Sequence, residues 1–119
     1  MKKLIQNTTT NQDGSQIGKA FAQGAVFVSG TLNDVFTSFQ ADNFVFNAGF
    51  GKDIIYGFNA GNSSNHDVIS FNSSFVQDFA HLQINQAGAD VSIRVTDLDS
   101  ILLKNVSASS LTAQDFLFR

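Results

Sequence analysis

The 119-residue chain has no cysteine, which removes disulfide staples, thiolate metal sites and cysteine nucleophiles together. It has no glutamate either: all 10 acidic residues are aspartate. Glutamate is favoured on exposed helix faces, whereas aspartate favours turns, caps and cation sites, so the acidic residues point away from a helical bundle. No window reaches the ~18 apolar residues of a membrane-spanning helix. After Lys2 and Lys3 only Leu4 and Ile5 precede a polar run, so the roughly 7–15-residue apolar segment of a secretory signal is missing as well. The 7 basic residues are scattered and the net charge is −3, which excludes the cationic footprint of a DNA- or RNA-binding protein.

What the chain does have is phenylalanine, asparagine and glycine. Its 13 Phe and 43% hydrophobic content supply a core for one compact domain, and the Asn and Gly favour a β-rich fold with many tight turns. Near the centre, Ala48-Gly49-Phe50-Gly51-Lys52-Asp53-Ile54-Ile55-Tyr56 fits the nonapeptide G-G-x-G-x-D-x-U-x, with U a large apolar residue, at every defined position but the first. The glycines allow a tight turn with positive φ, the turn carbonyls and the Asp53 carboxylate offer hard oxygen ligands, and Ile55 points to a core.

Asp-x-apolar recurs in Asp34-Val35-Phe36, Asp42-Asn43-Phe44, Asp53-Ile54-Ile55 and Asp67-Val68-Ile69, at intervals of 8, 11 and 14 residues. This is a degenerate repeat. In such a repeat successive turns lie on opposite edges, so carboxylates that adjoin come from alternate copies, ideally about 18 residues apart. Asp34 and Asp53 are 19 apart and Asp42 and Asp67 are 25 apart, which makes the first pair the better candidate for a shared cation. Leu32, Phe39 and Gln40 stand where the repeat wants glycine. A branched side chain at a positive-φ position costs on the order of a kcal/mol, and these copies are weakened accordingly.

Residues 1–24 read as a polar N-terminal arm or leader and residues 25–119 as a single domain. Gly24 to Val28 is a first strand. Ser73 or Ser74 caps a short helix carrying Phe75, Phe79 and Leu82 on one face. Val91, Ile93 and Val95 alternate in a hairpin that returns through Ile101 to Leu103, with Asp97 and Asp99 as turn formers. Phe44, Phe46, Phe58 and Phe71 are core, while Phe50, between two glycines, is expected to be more exposed and to lie against the cap. There is no Gly-x-Ser-x-Gly elbow, and His66 and His81 do not form an i, i+4 zinc pair, so no catalytic residue is assigned.

Phe44 to Gly61, His66 to Phe71, Gly88 to Ile93, Leu103 to Val106 and Leu111 to Phe118 together resemble the C-terminal end of RTX (repeats-in-toxin, hemolysin-type calcium-binding) proteins, over roughly residues 29–118. The resemblance implies a right-handed parallel β-roll with Ca²⁺ in its turns, closed by a capping β-structure. It also implies export without an N-terminal signal, by type I secretion machinery that reads the uncleaved C-terminus, and an activity carried by an upstream domain. The family's ligand turn lands on Gly49, Gly51 and Asp53, and its weaker turns place ligands at Asp34, Asp42 and Asp67. The terminal signature of an Asp before large apolar residues lands on Asp115, Phe116, Leu117 and Phe118. Gly57 and Ser70 depart from the pattern, standing where such caps often carry Asp, and the upstream array of clean glycine repeats is missing.

Calcium wants about six to eight oxygens, so the sites are expected to be weak or partly lost. The expected fold is mainly β: a short right-handed parallel β-roll with degenerate repeats, closed by an antiparallel β cap and one short helix. The expected function is that of a non-catalytic, secreted, extracellular calcium-binding module acting as folding cap and secretion determinant. The alternative is a purely structural or interaction β-module that no longer binds metal.

Overall fold

A computed structural model describes residues 6–61 and 66–119. The fold is mainly β, with strands β1 (Gln6–Thr10), β2 (Gln16–Ala20), β3 (Val26–Val28), β4 (Val35–Thr37), β5 (Asn43–Phe46), β6 (Lys52–Tyr56), β7 (Val68–Phe71), β8 (Gln83–Ala87), β9 (Asp90–Arg94), β10 (Ser100–Leu103) and β11 (Phe116–Phe118). They form a seven-stranded sheet in the order β1-β2-β4-β6-β10-β9-β8 and a four-stranded sheet in the order β11-β7-β5-β3.

From β2 to β7 the chain contributes strands to the two sheets in turn. Within the larger sheet β2, β4 and β6 pair in parallel, and within the smaller one β3, β5 and β7 do the same. β10 then adds in parallel to β6, and β11 to β7. The expected antiparallel hairpin is β9 with β10, and β8 extends it.

The Asp-x-apolar copies explain this layout. In each strand the second residue after Asp turns inward, and Phe36, Phe44, Ile55 and Ile69 are all fully buried. The side chain between points to the outer face, as the two-residue period of a strand requires. Phenylalanine fills the space between the sheets. Phe27 stacks on Phe36 at 5.1 Å and on Phe44 at 5.5 Å, and Phe71 meets Phe116 at 6.4 Å, within the range of favourable ring pairs. Gly18 completes this packing by having no side chain, since a Cβ there would lie 2.7 Å from the rings of both Phe27 and Phe36.

Three expectations need correction. Residues 1–24, expected as an arm or leader, include the antiparallel β1–β2 hairpin at the edge of the larger sheet. This hairpin carries no apolar period because β1 is almost wholly exposed and the inward positions of β2 are the small Gly18 and Ala20. The short helix is replaced by a turn at Ser73 to Phe75 and one 3₁₀ turn at Phe79–His81. Asn72 opens a single turn in the manner of an N-cap: its Oδ1 accepts from the Ser74 N–H and hydroxyl, and its carbonyl accepts from Phe75 and Val76. The turn is not continued, and the backbone is extended at Asp78. Phe75 and Phe79 still pack on the core, and Leu82 belongs to it. Phe50 is buried rather than exposed, set edge-on to Phe46 at 4.9 Å and against Phe75 at 6.2 Å.

Candidate functional site

The four repeat aspartates stand at the entrances of parallel strands, so the ladder register stacks them in pairs. Val35 lies opposite Ile54, which sets Asp34 beside Asp53, and Asn43 lies opposite Val68, which sets Asp42 beside Asp67. All four are at most 1% exposed. The structure therefore brings together the two pairs that the spacing singled out.

The contacts within the pairs are hydrogen bonds. Asp53 Oδ1 accepts from the Asp34 N–H at 2.8 Å, and Asp34 Oδ1 accepts from the Gln16 N–H at 2.8 Å. On the other edge Asp67 Oδ1 accepts from the Asp42 N–H, and Asp42 Oδ1 from the Ala25 N–H, each at 2.8 Å. The second oxygens hold the turns. Asp34 Oδ2 accepts from the Gly30 N–H at 2.8 Å, Asp42 Oδ2 from the Phe39 N–H at 2.7 Å, and Asp67 Oδ2 from the Asn59 N–H at 2.8 Å.

Between the paired carboxylates sits a serine. Ser29 Oγ is bonded to Asp34 Oδ2 and Asp53 Oδ2, and Ser38 Oγ to Asp42 Oδ2 and Asp67 Oδ2. Neither serine stands out in the sequence. The only trace is its place four or five residues before an aspartate, a spacing common in a chain rich in small polar residues.

Two further aspartates join the same edges. Asp99 Oδ1 accepts from the Gly51 N–H at 2.9 Å, and Asp115 Oδ1 from the Gly61 N–H at 2.9 Å. Asp99, read as a turn former, does form its turn, taking the Thr96 hydroxyl and N–H groups through its side chain and carbonyl. Asp115 also closes a capping box through the Thr112 N–H, and the imidazole of His66 lies 3.7 Å from its Oδ1. Exposed Asp97 pairs instead with Arg94, and exposed His81 with Asp78.

Burial pushes the Asp53 carboxyl up to about 7, against the opposing bonds from Ser29 and the Asp34 N–H, and the charges of Asp34 and Asp99 add to the rise. Asp67 is raised for the same first reason, opposed by the Asp42 N–H, Ser38 and the Asn59 N–H, with the Asp42 charge adding to it.

The glycine turn has the expected conformation, with φ of 81° at Gly49 and 84° at Gly51. Gly51 is fully engaged, since its N–H goes to Asp99 and its carbonyl accepts from Ser100 at 2.9 Å. A Cβ on it would meet Asn33 Oδ1 at 3.2 Å, so glycine is needed for close stacking as well as for φ. Leu32 is spared the anticipated strain: among the described residues the left-handed non-glycine positions are Ala41 and Asn105.

Of the terminal signature, Asp115 and Phe116 are buried, Phe118 is half-buried and Leu117 is 41% exposed. The three apolar residues pair in register with Ile69, Ser70 and Phe71.

Among the described residues no three His, Cys, Asp or Glu side chains converge in a metal-holding group. The chemistry around each paired carboxylate is that of hydrogen donors. Backbone N–H groups already bond seven of the eight oxygens of these four carboxylates, all but Asp53 Oδ2, which leaves them poorly disposed to supply the six to eight oxygens that Ca²⁺ wants. No protein-family model matches the chain, and no curated protein matches it.

Proposed function

We propose that the chain is a non-catalytic module of the RTX C-terminal type, a right-handed β-roll that serves as folding cap and type I secretion determinant and is secreted without an N-terminal signal. Its calcium sites are weak or partly lost. The observation that carries this reading is the pairing of Asp34 with Asp53 and of Asp42 with Asp67 in two parallel ladders fed by alternate strands. That arrangement follows from an Asp-x-apolar repeat whose alternate copies adjoin.

The test is export of a passenger fused ahead of the chain in cells carrying a type I exporter. The passenger is expected in the medium with the full chain and inside the cell when residues 115–118 are removed; equal export of both would sink the reading. Calorimetric titration of the purified chain is expected to show calcium binding only at millimolar concentrations or none, the range of the weakest extracellular sites. Submicromolar binding abolished by Asp53→Ala would restore full sites.

The second reading, a structural or interaction module, draws on β3. This strand is an edge of the smaller sheet, and its Val26 and Val28 are 49% and 52% exposed. The Gln6 side chain bonds the Val26 N–H and carbonyl, so a further strand would pair with this edge by displacing it. Sedimentation at high concentration separates the readings, because a strict monomer counts against pairing through that edge.

A further inference from the structure

The two serine–aspartate groups share one pattern of bonds although the chain reaches them over different distances. In the first, the Ile54 N–H donates to the Asp34 carbonyl and the Asp34 N–H to Asp53 Oδ1, a separation of 19 residues. In the second, the Val68 N–H donates to the Asp42 carbonyl and the Asp42 N–H to Asp67 Oδ1, a separation of 25. In both, the side chain adds one rung to the ladder beyond the strand, the earlier Asp holds its own turn by an N–H, and one serine hydroxyl lies between the two Oδ2 atoms. What is kept from one edge to the other is therefore the bonding unit and not the length of the repeat.

We infer that Ser29-Asp34-Asp53 and Ser38-Asp42-Asp67 are hydrogen-bonded clasps that join successive circuits of the chain where a calcium-binding roll would use the ion, so that this chain folds and stays folded without calcium. The comparison with an ion rests on the RTX reading; the clasps themselves do not. Each clasp binds two circuits and a turn at once, and no buried side-chain nitrogen or oxygen among the described residues is left without a partner. A hydroxyl has one proton, so each serine donates to one Oδ2 and accepts from the other carboxyl in its protonated form; with that proton in place the group closes without an external ligand. The hydroxyls are what the glycine-rich repeat lacks: in the frame ending at Asp34, Ser29 stands at the first glycine position.

The experiment is thermal unfolding of the full chain in millimolar calcium and in chelator, for the parent and for Ser29→Ala, Ser38→Ala and Ser29→Thr. The parent is expected to melt at the same temperature in both. Each alanine variant is expected to melt lower by roughly 5–10 °C in both media, from the loss of a hydrogen bond to a buried carboxylate, and Ser29→Thr, which keeps the hydroxyl, to recover much of the loss. An alanine variant that fails to fold in either medium also supports the clasp. A parent that melts several degrees higher in calcium overturns it, as does an alanine variant that folds only in calcium or melts like the parent in chelator. Export of the passenger fusion is scored separately, so failure of the secretion reading leaves these outcomes unchanged.

Discussion

Asp53 is a carboxyl made less acidic by its surroundings, and the direction of that change sets a pH response. Its folded-state value near 7 stands above the ordinary 3.8, so the proton is held more tightly in the folded chain. The corresponding stability is fully present below about pH 3.8 and is lost as pH rises through about 7; Asp67 acts in the same sense. Asp13, Asp78 and Asp90 act oppositely. Bonds from Ser15, His81 and Asn105 hold them below 3.8, so their contributions are lost as pH falls through that region. The melting temperature is therefore expected to peak between about pH 4 and 7 and to decline toward pH 8, with a smaller decline in Asp53→Asn. A steady climb from about pH 5 to pH 8 would contradict this. At this scale the aspartates were legible, because their spacing and the following apolar residue mark them. Ser29 and Ser38 were not, since a serine four or five residues before an aspartate looks like any loop residue until a second circuit is laid beside it.

The elements divide by how much apolar pattern they carry. β4 to β7 were legible from an inward residue two places after each Asp, and β9 and β10 from their alternation. β1 and β2 were hidden because Gly18 and Ala20 occupy inward positions against large rings. The turn region from Asn72 to Leu82 has helical spacing at Phe75, Phe79 and Leu82, yet the turn that Asn72 opens gives way to extended backbone at Asp78, and the same three residues reach the core from turns. On the proposed function, β11 combines packing with recognition of the terminus. Phe116 is 3% exposed and its ring lies 5.4 Å from Phe79 and 6.4 Å from Phe71, so Phe116→Ala is expected to cost about 3–5 kcal/mol in urea unfolding. Leu117 faces outward, and Leu117→Ala is expected to stay within about 0.5 kcal/mol of the parent. On the proposed function Leu117→Ala lowers export with the urea midpoint unchanged. If export falls only with the midpoint, the terminus acts through packing alone.

At the scale of the whole molecule, six of the 10 aspartates are buried, and they lie in two edge columns, Asp34-Asp53-Asp99 and Asp42-Asp67-Asp115. The third member of each column was not legible, because Asp99 bonds to a residue 48 positions earlier and Asp115 to one 54 positions earlier. The chain inserts the β8–β9 excursion and the 3₁₀ turns before returning to complete each column. A fold held by such distant pairings forms slowly, since loop closure precedes any gain from contact. A roll that waits for an external ion has its folding switched on by a change of compartment. With clasps built from its own serines and aspartates, this chain has no such switch, and only the slowness of long-range closure would keep it threadable. On the proposed function, leaving the cell then becomes a race between translocation and closure, and a variant that closes faster would be trapped on the inside by its own stability.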